Sequence, residues 1–347
     1  MRSRITSLTL TLALAGLAGC TPESPTAATP DAPSAVSALK ASYSAWSPAV
    51  SAELATPGAH PTFNTPSLDG CPFISRDGKT FFMATNRPGG AGGIDVWVST
   101  RQSTDDPWGA PVNANDLYEG DANINTPANE FCPTLARDGH SFYFVSNRAG
   151  GCGGDDIYST RIRDGQGFEA PENLGCQVNS AGNEASPFPV QEPGEGRVLY
   201  YSSTRAGGFA PEAPGAVTGD ADVYMSPWHG GAFGAGQLVC GVNSAANDAQ
   251  PNLRRDALEI FFFSNRPGTL GGNDIYSATR RKAQDCFATP VNLGPNVNSP
   301  LVNVGGVLLG NESRPSISWD GTTLYFGSDR PGGEGASDIY VTTRETR

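Results

Sequence analysis

Histidine is scarce in this chain of 347 residues: only His60, His140 and His229 occur, none at a repeated position and none beside a serine motif. There is no Gly-x-Ser-x-Gly, so the strained nucleophile turn of a serine esterase or peptidase is lacking. Neither a Cys-x-x-Cys nor a Cys/His pairing occurs, which removes the usual thiolate metal sites. Ser37-Ala-Leu-Lys40 fits Ser-x-x-Lys, but within a Pro/Ala/Ser/Thr stretch where no pocket can form. Long segments of 3.6-residue periodicity are missing, which excludes a helical solenoid. One apolar run, Leu8 to Leu17, has any length, and it is too short to span a bilayer. Basic residues are few. With Arg2 and Arg4 removed from the 23 basic residues, 21 stand against 35 acidic ones, a net charge of −14. That balance argues against nucleic acid and anionic lipid headgroups as partners and helps keep an exported chain soluble. No catalytic residue and no metal-ligand set is assigned.

What the chain does have begins with an export signal. Arg2 and Arg4 precede the apolar run, which ends in Leu17-Ala18-Gly19-Cys20. A charged start, a short apolar stretch and small residues at a cleavage site make residues 1–19 a secretory signal. The tetrapeptide resembles a bacterial lipobox. That resemblance implies lipidation of Cys20, and Thr21 after it implies an outer-membrane address, facing the periplasm or the cell surface. Residues 20–42 cannot bury enough apolar surface to offset ordering, and are read as a flexible tether.

From residue 43 to 347 one pattern recurs five times: Ser-Asn-Arg-Pro-Gly-Gly, a few residues, then Asp-Ile-Tyr. Its arginines are Arg87, Arg148, Arg205, Arg266 and Arg330; its aspartates are Asp95, Asp156, Asp222, Asp274 and Asp338. The separation is 8 residues in four repeats and 17 between Arg205 and Asp222. Such self-similarity marks a repeat fold whose units bury their apolar faces against neighbours. Within the second repeat, Cys132 to Gly139 reads as a strand entering a tight turn. Ser141 to Ser146 is a buried aromatic strand, Asp156 to Thr160 a third, and Phe168 to Leu174 an outer fourth. The expectation is an all-β, five-bladed β-propeller of four-stranded antiparallel blades. The fifth repeat stops at Arg347 without an outer strand. Trp46 to Val50 has the spacing of Trp108 to Val112, so an N-terminal strand is expected to complete the last blade.

In Pro-x-x-Ser/Ala-x-Asp-Gly, the aromatic strand with Ser-Asn-Arg, and Asp-Ile-Tyr, as in Pro133 to Tyr158, the chain resembles the WD40-like (PD40, TolB-type) propeller repeats. The resemblance covers nearly everything after the tether and implies the fold far more than an activity. Members of that family are often joined to peptidoglycan-binding or hydrolase domains, and neither is present in this sequence.

Each first strand is preceded by a proline-linked acid: Asp69, Glu130, Glu184, Asp248 and Glu312, each three residues before a proline. An Asn stands five residues before the acid in four blades (Asn64, Asn125, Asn179, Asn243), with Asn298 as the fifth. Strand alternation puts these acids and the Gly-rich loops on one rim, here the upper; the Asp-Gly turns lie on the lower. Two readings compete. Either five carboxylates ring the channel mouth, able to hold Ca²⁺, or each acid clasps the Arg of its own blade. The clasp is favoured, because a structural device is needed once per blade, and no cofactor is assigned. The Gly-rich loops are not phosphate cradles, since no helix and no Lys follow them.

Recognition is expected where the repeat is broken. The loop Ala206 to Ala221 carries Phe209, Glu212 and Asp220, and the insertion Pro300 to Asn311 carries Val304 and Leu308. Of the six cysteines after Cys20, five belong to the upper rim, and Cys286 to the lower. At most two disulfides are therefore expected, with Cys286 unpaired. The functional expectation is a non-catalytic cell-envelope binding or scaffolding lipoprotein that engages a protein or a peptidoglycan/glycan component. The alternative is a glycan-active propeller, glycoside hydrolase-like, using two of the five acids.

Overall fold

The computed structural model describes residues 43–55, 63–118, 122–163, 167–210 and 218–347. Residues 1–19, Cys20, the stretch 20–42 and Glu212 lie outside these. The chain forms five radial blades. A short strand β1 (Val50–Ser51) precedes the first blade, made of β2 (Asp69–Ile74), β3 (Thr80–Thr85), β4 (Asp95–Thr100) and β5 (Val112–Asn113). After one helical turn, α1 (Ala114–Leu117), the second blade has β6 (Glu130–Leu135), β7 (Ser141–Ser146), β8 (Asp156–Arg163), β9 (Gly167–Phe168) and β10 (Glu172–Asn173). The third has β11 (Glu184–Glu192), β12 (Gly196–Arg205), β13 (Thr218–His229), β14 (Ala232–Phe233) and β15 (Gln237–Leu238). The fourth has β16 (Asp248–Leu253), β17 (Glu259–Ser264), β18 (Asp274–Thr279) and β19 (Val291–Asn292). A hairpin, β20 (Val302–Val304) and β21 (Val307–Leu309), leads to the last blade: β22 (Glu312–Ile317), β23 (Thr323–Ser328) and β24 (Asp338–Thr343).

Ring closure follows the expectation: β1 pairs antiparallel with β24, Val50 opposite Val341 and Ser51 opposite Tyr340. Trp46 is buried beside it, with the Arg344 guanidinium 4.5 Å from its ring centre. The outer strands pair over only two residues, and the aromatic ahead of each serves a different end. Trp108 and Phe287 are buried outside any strand, whereas Phe168 and Phe233 are buried in two-residue strands, β9 and β14, that pair with the ends of β8 and β13. In the second blade Phe168 sits in β9, apart from the outer strand β10.

Second strands are aromatic on both faces because each is covered by a neighbouring blade on either side. Phe81, Phe82, Phe142, Phe144, Tyr200, Tyr201, Phe261 and Phe262 are fully buried. Each such side chain contributes about 2 kcal/mol by leaving water. The core is thus distributed between blades, not concentrated in one layer.

Three disulfides form: Cys71–Cys132, Cys152–Cys176 and Cys240–Cys286. The expectation that Cys286 is unpaired is wrong. Cys240 lies two residues past the short strand β15, where the chain runs along the connection into the fourth blade's outer strand. There Phe287 N–H donates to Cys240 C=O at 3.1 Å, and Cys286 is brought to it. Disulfides persist in oxidising compartments, which marks the protein as extracytoplasmic.

Candidate functional site

The five repeated acids are fully buried, and each is tied into its own blade. Arg87 Nη2 meets Asp69 at 2.7 Å, Arg148 meets Glu130 at 3.1 Å, Arg205 meets Glu184 at 3.4 Å and Arg330 meets Glu312 at 3.1 Å; Arg266 pairs with Asp248. The remaining lone pairs accept from a Thr or Ser ahead of the acid. Thr126 donates its backbone N–H and its hydroxyl to Glu130, at 2.7 and 2.8 Å, and Ser146 adds a hydroxyl at 2.7 Å. Ser180 and Ser203 repeat this around Glu184. Burial pushes the Glu312 carboxyl up, against the lowering effect of Ser299, Arg330 and Ser328. None of the five lines the channel.

The repeated Asn joins one blade to the next. Asn125 Oδ1 accepts from Val96 N–H (2.9 Å) and its amide donates to Val96 C=O (2.8 Å), so the third strand of one blade is held by the entry to the following one. Asn179, Asn298 and Asn64 hold Ile157, Ile275 and Ile339 likewise, the last across the ring seam. The Asp of each Asp-Ile-Tyr caps its Gly-rich loop: Asp274 accepts from Leu270 and Gly271, Asp338 from Glu334. Gly151 must be Gly, because a Cβ there would lie 1.7 Å from Asp156 Oδ2.

The channel is lined by the first strands, which share a β-bulge that the sequence reading did not detect. Register shifts one residue into β2, β6, β11, β16 and β22, ahead of a proline each time. The residue at the bulge is Cys71, Cys132, Ser186, Gln250 or Arg314, all with φ between +47° and +57°. Left-handed backbone is uncommon for such residues, and bulges of this kind re-aim a side chain. Cys71, Cys132, Ser186 and Arg314 line the upper channel. Below them Phe73 and Phe188 narrow it. At the lower mouth Arg76, Arg137 and Arg255 surround Trp319; the Arg76 and Arg137 guanidiniums lie 4.9 and 5.4 Å from its ring centre. An alignment of the five repeats on the shared proline puts Cys71, Cys132, Ser186, Gln250 and Arg314 in one column, but that column is no more variable than its neighbours, so sequence alone does not mark the bulge.

The two broken repeats stand on the upper rim. The insertion Pro300 to Asn311 is not an irregular loop. It is the hairpin β20–β21, turning through Gly305 and Gly306 at positive φ. Val304 is 49% exposed and Leu308 56%, with Leu301, Val302 and Val307 exposed beside them. Leu270, exposed on the adjoining Gly-rich loop, accepts through its C=O from Leu301 N–H at 3.3 Å. Phe209 on the third blade's loop is 56% exposed. Asp220, expected in that loop, lies instead in β13, whose 12 residues extend the third strand upward.

No protein-family model and no curated protein matches the chain. Solved structures share the fold at low identity. TolB from Acinetobacter baumannii is 12% identical over 80% of this chain and 55% of its own, with a TM-score of 0.45. A GH43_12 protein retrieved from a capybara gut metagenome is 15% identical over 86% of this chain and 57% of its own, TM-score 0.49. A GH62 hydrolase solved with xylotriose is 10% identical over 88% of this chain and 98% of its own, TM-score 0.49. The chain thus spans little more than half of the first two, and these likenesses concern the five-bladed fold alone.

Proposed function

We propose that this is a non-catalytic binding or scaffolding propeller of the cell envelope, anchored to the outer membrane by a lipid on Cys20. It engages an envelope protein or a cell-wall component through its upper rim. The observation that carries the reading is the hairpin β20–β21, which presents Val302, Val304, Val307 and Leu308 to solvent on a rigid ring. A projecting apolar hairpin has little use in a lone soluble molecule, and exposed apolar patches mark interaction sites. Phe209 and Leu270 extend the apolar character along the same rim.

The placement of the acids supports this reading over the glycan-active one. Glycoside hydrolysis needs two carboxyls facing one substrate, in different environments. Asp69, Glu130, Glu184, Asp248 and Glu312 share one environment, fully buried and paired with an arginine.

The test is crosslinking in native envelopes with wild type and the double variant Val304→Asp/Leu308→Asp. Loss of one specific partner in the folded variant is the expected result. Identical capture by both proteins removes the hairpin from the interface. Release of reducing sugar from envelope polysaccharide by wild type, abolished in Glu130→Gln, would overturn the non-catalytic reading.

A further inference from the structure

We propose that the upper channel is an anion site that takes a single carboxylate group, with Arg314 as its charged residue. The five clasp arginines, and Arg254, Arg280 and Arg344, each meet a carboxylate. Arg314 meets none among the described residues. Its backbone N–H donates to Gln250 Oε1 at 2.9 Å, but its guanidinium makes no hydrogen bond or ion pair, and Nε is buried without a partner. The residue as a whole is half-buried, but a cation even partly withdrawn from water without a counter-charge is costly, and Arg cannot escape by losing its proton at neutral pH. Burial alone shifts its pKa downward, with no acid to oppose it.

The surroundings look built to hold this side chain in the channel. Arg314 reaches from the fifth blade onto Gly70 of the first, where a Cβ would stand 2.5 Å from Nη1. The other blades carry Phe131, Ala185, Ala249 and Ser313 at that position, so glycine occurs where the guanidinium crosses. Around it are the Cys71–Cys132 disulfide, Ser186 and the ring of prolines, enclosing about 30 Å³. That is room for about one small group. Ser186 Oγ donates only to Cys132 Sγ (3.3 Å), a weak acceptor, and is a spare donor for an incoming oxygen. The planar guanidinium, whose two Nη groups have no hydrogen-bond partner among the described residues, matches a planar carboxylate in two parallel hydrogen bonds. A tetrahedral phosphate suits the small space less well.

The carboxylate belongs either to a free small acid or to a partner chain entering by the upper mouth. Calorimetric titrations at constant ionic strength separate these, with acetate for the first and the peptide Gly-Gly-Glu-Gly-Gly for the second. Phosphate and chloride serve as competitors. Wild type is expected to bind acetate, the peptide or both, and Arg314→Gln to bind at least tenfold more weakly. Arg314→Met supplies a readout independent of binding. If the guanidinium is held unpaired for a ligand, this variant unfolds at a higher temperature than wild type in anion-poor buffer. Equal titrations for wild type and Arg314→Gln overturn the proposal, as does a preference for phosphate or chloride over both carboxylates. A lowered unfolding temperature for Arg314→Met overturns it too, because the side chain would then be structural.

Discussion

At the scale of single residues, a buried carboxylate is kept by its hydrogen-bond partners: Glu130 is fully buried yet receives an arginine, two hydroxyls and a backbone N–H. Glu130→Gln should lower stability to urea by about 3 kcal/mol, since it leaves Arg148 without its counter-charge. A loss under 1 kcal/mol would mean that hydrogen bonds, not charge, hold the clasp. Glu53 is placed differently, beside a second acid, Glu334. Burial, and to a lesser degree the charge of Glu334, raise its carboxyl from 4.5 to about 7. A raised acid binds its proton more tightly in the folded state, so its contribution to stability is complete below pH 4.5 and is lost as pH rises through about 7. Glu53→Gln should therefore flatten the stability profile across that window, read by thermal unfolding at stepped pH. A profile unchanged by the substitution would refute the assignment. In the acid range Asp77, Asp138 and Asp320 act oppositely, because hydrogen bonds from their turns hold them below the ordinary value despite partial burial.

At the scale of elements, the same local signals served some segments and failed others. Aromatic runs flanked by Asp-Gly turns and Asp-Ile-Tyr identify second and third strands because those strands are covered on both faces. The hairpin β20–β21 escaped that reading: its strands are three residues each and pair only with one another. An element so detached from the core should be dispensable to it. Val304→Asp/Leu308→Asp is expected to change the unfolding free energy by about 0.5 kcal/mol or less, as for surface sites generally. A larger loss would show the hairpin packing on the ring, and its role in capture would need another variant.

For the whole molecule, stability rests on contacts that pass from blade to blade and finally across the seam. Arg280 reaches Glu192 of the preceding blade at 2.5 Å, and Arg344 reaches Glu259 at 2.7 Å; all four side chains are nearly inaccessible to water. Cys71–Cys132 joins the first two blades over 61 residues, which in the loop-entropy view is worth about 4 kcal/mol. The seam depends on β1, on Asn64 held to Ile339, and on Trp46 packed beneath Arg344. Removing residues 43–51 should lower the unfolding temperature by several degrees and raise hydrogen exchange first in β24, which would lose its outer neighbour. Uniform exchange around the ring would instead mean that the blades unfold as one unit wherever the ring is cut.

Alternation within strands, tight turns, the five-fold recurrence and the missing fifth outer strand are properties of neighbouring residues, so the sequence by itself determined the blade, the blade count and the closure by Trp46 to Val50. The repeated acid was legible as a structural clasp for the same reason, since it recurs at one place per blade, whereas the role of the repeated Asn in tying one blade to the next appeared only in the structure. Which side chains meet between blades was decided only by the tertiary structure. Cys240 finds Cys286 because a two-residue outer strand leaves it beside the next blade's connection. Arg314 stands unpaired because a bulge turns one residue of each first strand toward the axis, and the other four blades place two cysteines, a serine and a glutamine there, none of them an acid. A repeat pattern records what every blade must do alike; the axis, where five different residues converge, is defined only when the ring has closed.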